Sequence, residues 1–495
     1  MARRLSPLEL LHPDGVSEFP LVLGSACPAS LRPEHRTVST ELSDLIVVAP
    51  TRSELRAPGW LPRAARLASE MLAEDGVVYV LSPRGWRRRT IRGLSSQGLV
   101  LAASLAHLPD LDDSRYLVPL TIDPASYAFS SVIPIAAWKR RLVLSALSRS
   151  EGRHLLARLL PAMGFAMRRP DARPLFDWLS RLEGGVASYT TAILTTSWRG
   201  VEGSFVLHRF SGDGRRLTAV AKIGPPFPLD DDRVEEPTIL EQLAAGARRA
   251  GADVPEPLVV ASWNGRPLML QSAVSGRSAA VILAESPRQL SDVSWRLVEW
   301  LQRWNQQGPG GELTEERLAR EVVAPARLLA PLFAEGGRYA ERLEARCAAL
   351  AGESVPSPAT HNDLTMANVF LDGAGHLSVV DWEAAREDGL PLVDFYYAMV
   401  DAAAAASRYT DRLQAFRDCF AREGKNAAAV GQLEGRLRRA LRLSPPVAEL
   451  CFHACWLHHA ANESRMNPGS SPRPFLSILR SVASTEFSRL HETQR

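Results

Sequence analysis

The chain has 495 residues, of which 46% are hydrophobic and 23% charged, a composition that suits several folded domains and excludes wholesale disorder. The formal net charge of +3 is close to neutral for this length, so it gives no support to nucleic-acid binding or to a polybasic membrane contact. Only three of the 58 basic residues are lysines: Lys139, Lys222 and Lys425. Each is either a chance survivor of a bias toward arginine or a position that needs an ammonium group.

The cysteines and the hydropathy pattern indicate the compartment. Five scattered cysteines, an odd number, fit a reducing environment better than a disulfide framework. The first 15 residues contain two arginines but no apolar segment of the signal-peptide type, and no run approaches 18 apolar residues. The sequence therefore predicts a cytoplasmic protein without a membrane span, and it leaves the oligomeric state open.

The first part of the chain, residues 1 to about 130, alternates apolar runs with amphipathic stretches. The predicted elements are a strand at 44–50, a helix at 61–72, a strand at 76–83, a helix at 86–97, and strands at 98–104 and 115–122. Such alternation is typical of a small parallel or mixed α/β sheet. The basic segment Arg87–Arg89 is predicted to be a solvated helix face rather than a phosphate or partner site.

This order of elements is similar to the second half of a class I methyltransferase sheet. The resemblance implies an incomplete, truncated Rossmann-like domain, because residues 1–43 are too few for the first half. The segment FPLVLGSACPA contains a single glycine, whereas dinucleotide and methyl-donor sites have a glycine-rich turn after the first strand. We expect this domain to serve docking, substrate delivery or oligomerisation.

The pattern changes twice in the middle of the chain. Residues 131–185 are apolar at helical spacing up to a proline-rich break, which predicts a helical connector. From 186 onward, three short strands separated by glycine and aspartate turns predict a β-meander, and a helix near 234–251 and two more strands follow. Beyond residue 288 nearly everything is predicted to be helical, except for residues 358–394.

That exceptional segment carries the chemistry. His361, Asp363 and Asn368 form the pattern H-x-D-L-x-x-x-N, and Asp381 follows in the triplet Asp-Trp-Glu. The runs VFLD and LSVVD flank a Gly-Ala-Gly turn and are predicted to pair, which would place Asp363 and Asn368 beside Asp381. Phosphoryl transfer needs such a set, because one carboxylate orients or deprotonates the acceptor hydroxyl and other oxygens bind Mg²⁺.

Over roughly residues 186–465 the chain resembles the aminoglycoside phosphotransferase and choline kinase-like family, in which H-G-D-L-x-x-x-N precedes a D-W-E or D-x-D triplet. Asn362 stands where that family usually has glycine, and G-L-P-L-V-D at 389–394 fits a family aspartate that packs under the catalytic segment. The resemblance implies an α+β, bilobal protein-kinase-like fold. Its N-lobe would be 186–275, and its helical C-lobe would be 276–495.

The resemblance also implies roles for the site residues. Asp363 would be the catalytic carboxylate, and His361 would belong to the catalytic loop as a residue that holds it by hydrogen bonding rather than as a base. Asn368 and Asp381 would bind Mg²⁺.

The upstream elements would bind ATP. Lys222, in AVAKIG, would contact the α/β-phosphates, with Glu236 as its ion-pair partner or Glu235 if the register differs by one. The RGVEG loop at 199–203 would cover the phosphates, although it lacks G-x-G-x-x-G. The backbone that would bind adenine belongs to Gln271, Ser272 and Ala273.

A second constellation lies near the C-terminus. Cys451, Cys455 and His459 share one helix face, but the first and last would lie about 12 Å apart along the axis, too far to surround one metal ion. We therefore expect a buried helix. The family resemblance implies in addition that this C-terminal helical region helps to form the acceptor pocket.

Together these features predict an ATP- and Mg²⁺-dependent kinase for a hydroxyl of a small molecule such as a sugar, amino-sugar or amino-alcohol. The fold alone does not fix the acceptor. The alternatives are a pseudokinase or binding module in a biosynthetic assembly, and a methyltransferase–kinase fusion. The sequence predicts neither a nucleic-acid partner nor a membrane partner.

Overall fold

A computed structural model of the chain describes residues 7–14, 20–28, 42–111, 114–129, 133, 137–148, 160, 162–182, 192–196, 204–211, 216–224, 236–466 and 473–484. The chain folds into two compact units. The first takes in Met1–Ile133, Trp138–Arg233 and Glu256–Ala273, and the second takes in Pro134–Ala137, Val234–Pro255 and Val274–Arg495.

The first unit is built on one sheet, which has eleven strands within the described residues. The strands are β1 (Pro20–Leu23), β2 (Ser43–Val48), β3 (Leu72–Val80), β4 (Val100–Pro109), β5 (Ser114–Pro119), β6 (Met163–Arg168), β7 (Ala192–Thr196), β8 (Phe205–Phe210), β9 (Leu217–Ile223), β11 (Pro257–Trp263) and β12 (Arg266–Ser272). Their order is β1-β2-β3-β6-β4-β5-β7-β8-β9-β12-β11. The first three are parallel, and every later neighbouring pair is antiparallel.

Helices flank the parallel end of this sheet. The helices of the first part of the chain are α1 (Arg52–Arg56), α2 (Trp60–Met71), α3 (Arg87–Ser95), α4 (Ile122–Tyr127), α5 (Ala137–Leu147) and α6 (Asp177–Arg181). Successive side chains of a strand face opposite sides of the sheet. Leu45 and Val47 therefore lie in one buried cluster, while Ile46 and Val48 lie in another cluster that includes Ala68 of α2. Because both faces are covered, β2 is a continuous apolar run.

The sequence predicted the elements of this region well but not their extent. The sheet of this region mixes parallel and antiparallel strands, as expected, but it is not small. β5 pairs with β7, and this pairing joins the strands of residues 20–168 and those of residues 192–272 into one sheet. The connector predicted as helical over 131–185 contains β6, which lies between β3 and β4. The basic segment Arg87–Arg89 is not wholly solvated either, since Arg87 is buried and only Arg88 and Arg89 are exposed.

The second unit is mainly helical. Its helices are α7 (Glu236–Ala250), α8 (Ala279–Glu285), α9 (Leu290–Gln306), α10 (Glu315–Leu318), α11 (Ala324–Leu329), α12 (Gly336–Leu350), α13 (Val393–Ala406), α14 (Arg412–Phe420), α15 (Ala427–Ala440), α16 (Pro445–Met466) and α17 (Pro474–Ala483). Its strands are β10 (Ala252–Asp253), β13 (Arg277–Ser278), β14 (Gly310–Glu312), β15 (Ser354–Pro356), β16 (Val369–Leu371) and β17 (Leu377–Val379). A large sheet and a helical body confirm the α+β class. Of the helices described here, none has the length and apolar character needed to cross a membrane.

Candidate active site

The hairpin of β16 and β17 brings the two halves of the predicted site together. Val369 is opposite Val379, and the N–H of Val380 donates to the carbonyl of Asn368 at 2.9 Å. The strand pairing expected from the sequence is therefore present. It sets the end of the predicted catalytic loop, residues 361–368 and called the catalytic loop below, beside the segment that leads to Asp381.

His361 links these two segments through both of its ring nitrogens. The side chain is fully buried, with Nε2 2.9 Å from the carbonyl oxygen of Val380 and Nδ1 3.3 Å from the N–H of Asp363. A carbonyl can only accept and an N–H can only donate, so the proton is assigned to Nε2. The ring also packs on Trp382, with centroids 4.7 Å apart. This geometry suits a residue that holds the loop.

The start of the catalytic loop is fixed by Asp394 of α13. Its two carboxylate oxygens accept the N–H groups of His361 and Asn362, at 2.8 and 2.9 Å. Asn362 has a φ of 61°, in the left-handed region that glycine adopts freely and that asparagine tolerates better than most residues. Its Nδ2 donates to the carbonyl of Ala384 at 3.0 Å, a bond that glycine could not make.

The middle of the loop is fixed at Met366. Its N–H donates to Oδ2 of Asp401 at 2.7 Å, and its carbonyl accepts from the N–H of Ala280 at 2.8 Å. Asp401 is fully buried, accepts the hydroxyl of Tyr409 at 3.0 Å, and lies 3.0 Å from a guanidinium nitrogen of Arg412. The backbone N–H and the carbonyl of Met366 are thus both bound by helices that flank the loop.

Asp363 is in an environment that disfavours its charged form. Burial and the nearby carboxylates of Asp381, Asp401 and Glu383 raise the pKa of Asp363 to about 8, and a hydrogen bond with Tyr397 opposes that rise. Such a perturbed carboxyl group in a preformed loop is typical of functional sites.

Asn368 and Asp381 have side-chain oxygens of the kind that Mg²⁺ prefers as ligands. Nδ2 of Asn368 donates to the carbonyl of Asp363 at 3.0 Å, so Oδ1 is the atom of this side chain that could bind a metal together with the Asp381 carboxylate. Within the described residues, no three His, Cys, Asp or Glu side chains group closely enough to hold a metal. One amide and one carboxylate fit an ion that keeps phosphate and water ligands, as Mg²⁺ does.

Glu236, at the start of α7, contacts the same triplet. Its Oε1 accepts the N–H of Trp382, the residue after Asp381, at 3.0 Å. Lys222 belongs to the first unit, on β9, opposite Val206 and Met269. The ion pair of Lys222 with Glu236 stays a prediction, and Glu235 and the 199–203 loop lie outside the described residues.

The segment predicted to bind adenine forms backbone hydrogen bonds within the first unit. Gln271 and Ser272 end β12. The N–H of Ser272 donates to the carbonyl of Glu256 at 2.8 Å, and the N–H of Ala273 donates to the carbonyl of Thr218 at 3.3 Å. These two N–H groups already have backbone partners, and adenine binding by Gln271, Ser272 and Ala273 stays a prediction.

Sequence reasoning missed Tyr397 and Asp401. Both lie on α13, three and seven residues after Asp394, a spacing that places all three on one helix face. The signal was present in VDFYYAMVDAAAAA, because a second carboxylate in so apolar a helix needs a buried partner.

The cysteine-and-histidine face of α16 is buried, as expected. Burial raises the pKa of the Cys451 thiol to about 12, so this group remains protonated and is a poor metal ligand. His459 stacks on Tyr397 with centroids 3.6 Å apart and an interplanar angle of 21°. His459 is therefore part of the aromatic packing behind Asp363.

The carboxyl ends of β1 and β2, where an open α/β sheet usually binds its ligand, are filled by main chain. Gly24 has a φ of 96°, and a Cβ there would meet the carbonyl oxygen of Ala49 at 2.5 Å. That oxygen accepts the N–H of Ala26 at 2.8 Å, and Glu54 accepts the hydroxyl of Ser25 at 3.0 Å. This close packing does not favour a methyl-donor site, and the resemblance of this unit to a methyltransferase stays a prediction.

Comparison with known proteins gives one family match. A family model described as the phosphotransferase enzyme family, APH, matches residues 199–450, about half of the chain. Among curated proteins, none matches.

Several solved structures are similar at low identity. Aminoglycoside phosphotransferase APH(3'')-Id from Streptomyces rimosus is 17% identical, with a TM-score of 0.32, and the match covers 56% of this chain and 95% of that one. A macrolide 2'-phosphotransferase type I is 16% identical, with a TM-score of 0.39 and coverage of 62% and 96%. Macrolide 2'-phosphotransferase MphH from Brachybacterium faecium is 16% identical, with a TM-score of 0.32 and coverage of 59% and 92%.

Proposed function

The chain belongs to the phosphotransferase enzyme family, and from this premise we propose that it is an ATP- and Mg²⁺-dependent kinase that phosphorylates a hydroxyl of a small molecule. Membership confirms the resemblance inferred from H-x-D-L-x-x-x-N and the kinase-like fold that it implied. We propose that the acceptor is a sugar, an amino-sugar or an amino-alcohol. We also propose that the protein acts in the cytoplasm.

The observation that carries the proposal is the fixed catalytic loop around Asp363. Its backbone is bound at the start by Asp394, in the middle by Asp401 and at the end by Val380. Phosphoryl transfer depends mainly on positioning and charge stabilisation, and a loop with so many fixed backbone groups provides positioning.

In the proposed mechanism, Asp363 orients the acceptor hydroxyl and takes its proton as the hydroxyl oxygen bonds to the γ-phosphorus of ATP. The bond from that phosphorus to the bridging oxygen breaks, and ADP leaves. Asn368 and Asp381 would hold Mg²⁺, which neutralises phosphate charge when bound. Lys222 would contact the phosphates, and Glu236 would position the segment after Asp381.

The test is acceptor-dependent release of ADP by the full chain, screened over small hydroxyl compounds. Asp363→Ala should abolish transfer yet leave nucleotide binding largely intact, measured as a thermal shift with Mg-ATP. Full activity in this variant would refute the mechanism. If the wild-type chain shows neither turnover nor a thermal shift at millimolar Mg-ATP, it is a binding module rather than a kinase.

A further inference from the structure

We propose that Asp401, together with Arg412 and Tyr409, is a positioning group that fixes the catalytic loop between Asp363 and Asn368. The inference rests on the proposed kinase function and adds residues that the catalytic motif does not contain. None of the three belongs to H-x-D-L-x-x-x-N or to the Asp-Trp-Glu triplet.

Met366 is the point at which this group acts. It lies three residues after Asp363 and two before Asn368, so its backbone connects the catalytic carboxylate and the metal-binding amide. Asp401 of α13 binds its N–H at 2.7 Å, and Ala280 of α8 binds its carbonyl at 2.8 Å. Rotation of the backbone at Met366 would change the separation of the catalytic carboxylate and the metal-binding amide. The two hydrogen bonds oppose that rotation.

Asp401 is suited to this task because its charge is buried and compensated. A fully buried carboxylate is strongly unfavourable unless donors surround it. Here the donors are the Met366 N–H and the Tyr409 hydroxyl at 3.0 Å. A guanidinium nitrogen of Arg412 lies 3.0 Å from Oδ1 without hydrogen-bond alignment, so Arg412 contributes mainly through charge.

Arg412 is itself fixed by aromatic rings. Its guanidinium lies 5.0 Å from the ring centroid of Phe475, 5.5 Å from that of Tyr409 and 5.9 Å from that of Tyr397. Tyr397 also lies close enough to Asp363 to lower the pKa of its carboxyl group, so this aromatic and ionic cluster reaches the loop both near Asp363 and at Met366.

A purely structural role would predict a different outcome from a positioning role. If the cluster only held α13 and α14 together, its loss would lower stability and leave the turnover of the folded fraction unchanged. If it positions the loop, kcat should fall while nucleotide affinity remains, because Asp401 contacts the loop and not the nucleotide.

The test compares Asp401→Asn and Tyr409→Phe with Asp418→Asn. The control also replaces an aspartate carboxylate by an amide, but on α14. There Asp418 pairs with Lys425 at 2.7 Å and does not contact the loop. We expect Asp401→Asn to lower kcat about tenfold or more and Tyr409→Phe to lower it a few-fold. The Kd for Mg-ATP should change less than about twofold, and Asp418→Asn should keep wild-type kcat.

A double variant separates positioning from stability. Asp401→Asn leaves the charge of the mostly covered Arg412 side chain without its partner, and adding Arg412→Met removes that charge. The proposal expects the double variant to regain thermal stability but not kcat. Recovery of both would overturn it, as would wild-type kcat in folded Asp401→Asn.

Hydrogen exchange gives a readout that does not need an acceptor. The Met366 amide should exchange faster in Asp401→Asn and Tyr409→Phe than in the wild type or in Asp418→Asn. Unchanged protection in both variants would refute the positioning role. Absence of turnover in the wild type would instead refute the kinase function, so the two failures are distinguishable.

Discussion

Replacing Asp363 with asparagine should change how the stability of the nucleotide-free protein depends on pH. The folded state raises the pKa of this carboxyl group to about 8, whereas an unperturbed aspartate titrates near the reference value of 3.8. Between these values the folded protein keeps a proton that the unfolded chain has released. The carboxyl group therefore makes the protein less stable as pH rises from about 4 to about 8.

The size of the effect follows from the same shift. One pKa unit corresponds to about 1.4 kcal/mol, so a shift of about four units gives an upper limit of about 6 kcal/mol. Because a site relaxes around a charge, we expect about 2–4 kcal/mol. Asp363→Asn keeps the shape but has no proton to lose. It should match the wild type near pH 4 and exceed it by that amount near pH 8.

Urea unfolding between pH 4.5 and 8.5, without nucleotide and with a chelator, measures this difference. The second unit contains several buried tryptophans, among them Trp300, Trp382 and Trp456, so its unfolding should change the fluorescence. The wild type should lose stability relative to the variant as pH rises. A constant difference across the range would show that Asp363 is ionised throughout, and the account of its surroundings would be wrong.

Two further predictions concern the first unit. Lys222→Arg should strongly reduce ATP use, because a planar guanidinium poorly replaces a compact ammonium on phosphates. The control Lys425→Arg should have almost no effect, since arginine can keep the exposed ion pair with Asp418. Steady-state kinetics on both variants checks this, and equal losses would contradict it. Gly164→Ala should destabilise the protein by about 3 kcal/mol, because its Cβ would overlap the buried Tyr79 hydroxyl; a thermal melt should show no such loss for the control Gly373→Ala, where a Cβ meets nothing within 4 Å.

The sequence predicted those parts of the site whose residues lie close together in the chain. The β16–β17 hairpin, with its Gly-Ala-Gly turn, is a local structure, so neighbouring residues decide it. The left-handed φ of Asn362 is a finding of the structure, and it fits a position where the family usually has glycine. Local signals were therefore sufficient to bring Asn368 close to the segment before Asp381.

What the sequence could not predict depends on partners far apart in the chain. β6 has only six residues, and so short an apolar run suits a strand or a helix. Its place between β3 and β4 is decided by neighbours far from it in sequence. The sequence similarly shows that Asp401 is unusual but not that its partner is the Met366 N–H, 35 residues away.

Helix α13 shows how a buried charge can indicate function. Its residues from Asp394 to Ala405 are all buried, an environment in which a carboxylate is unfavourable without donors. Both of its carboxylates obtain backbone N–H donors from the catalytic loop, Asp394 at His361 and Asn362 and Asp401 at Met366. A loop that supplies these donors is fixed by the same bonds that make the carboxylates tolerable. The helix and the loop therefore depend on each other, so changes on α13 should alter catalysis before they unfold the protein.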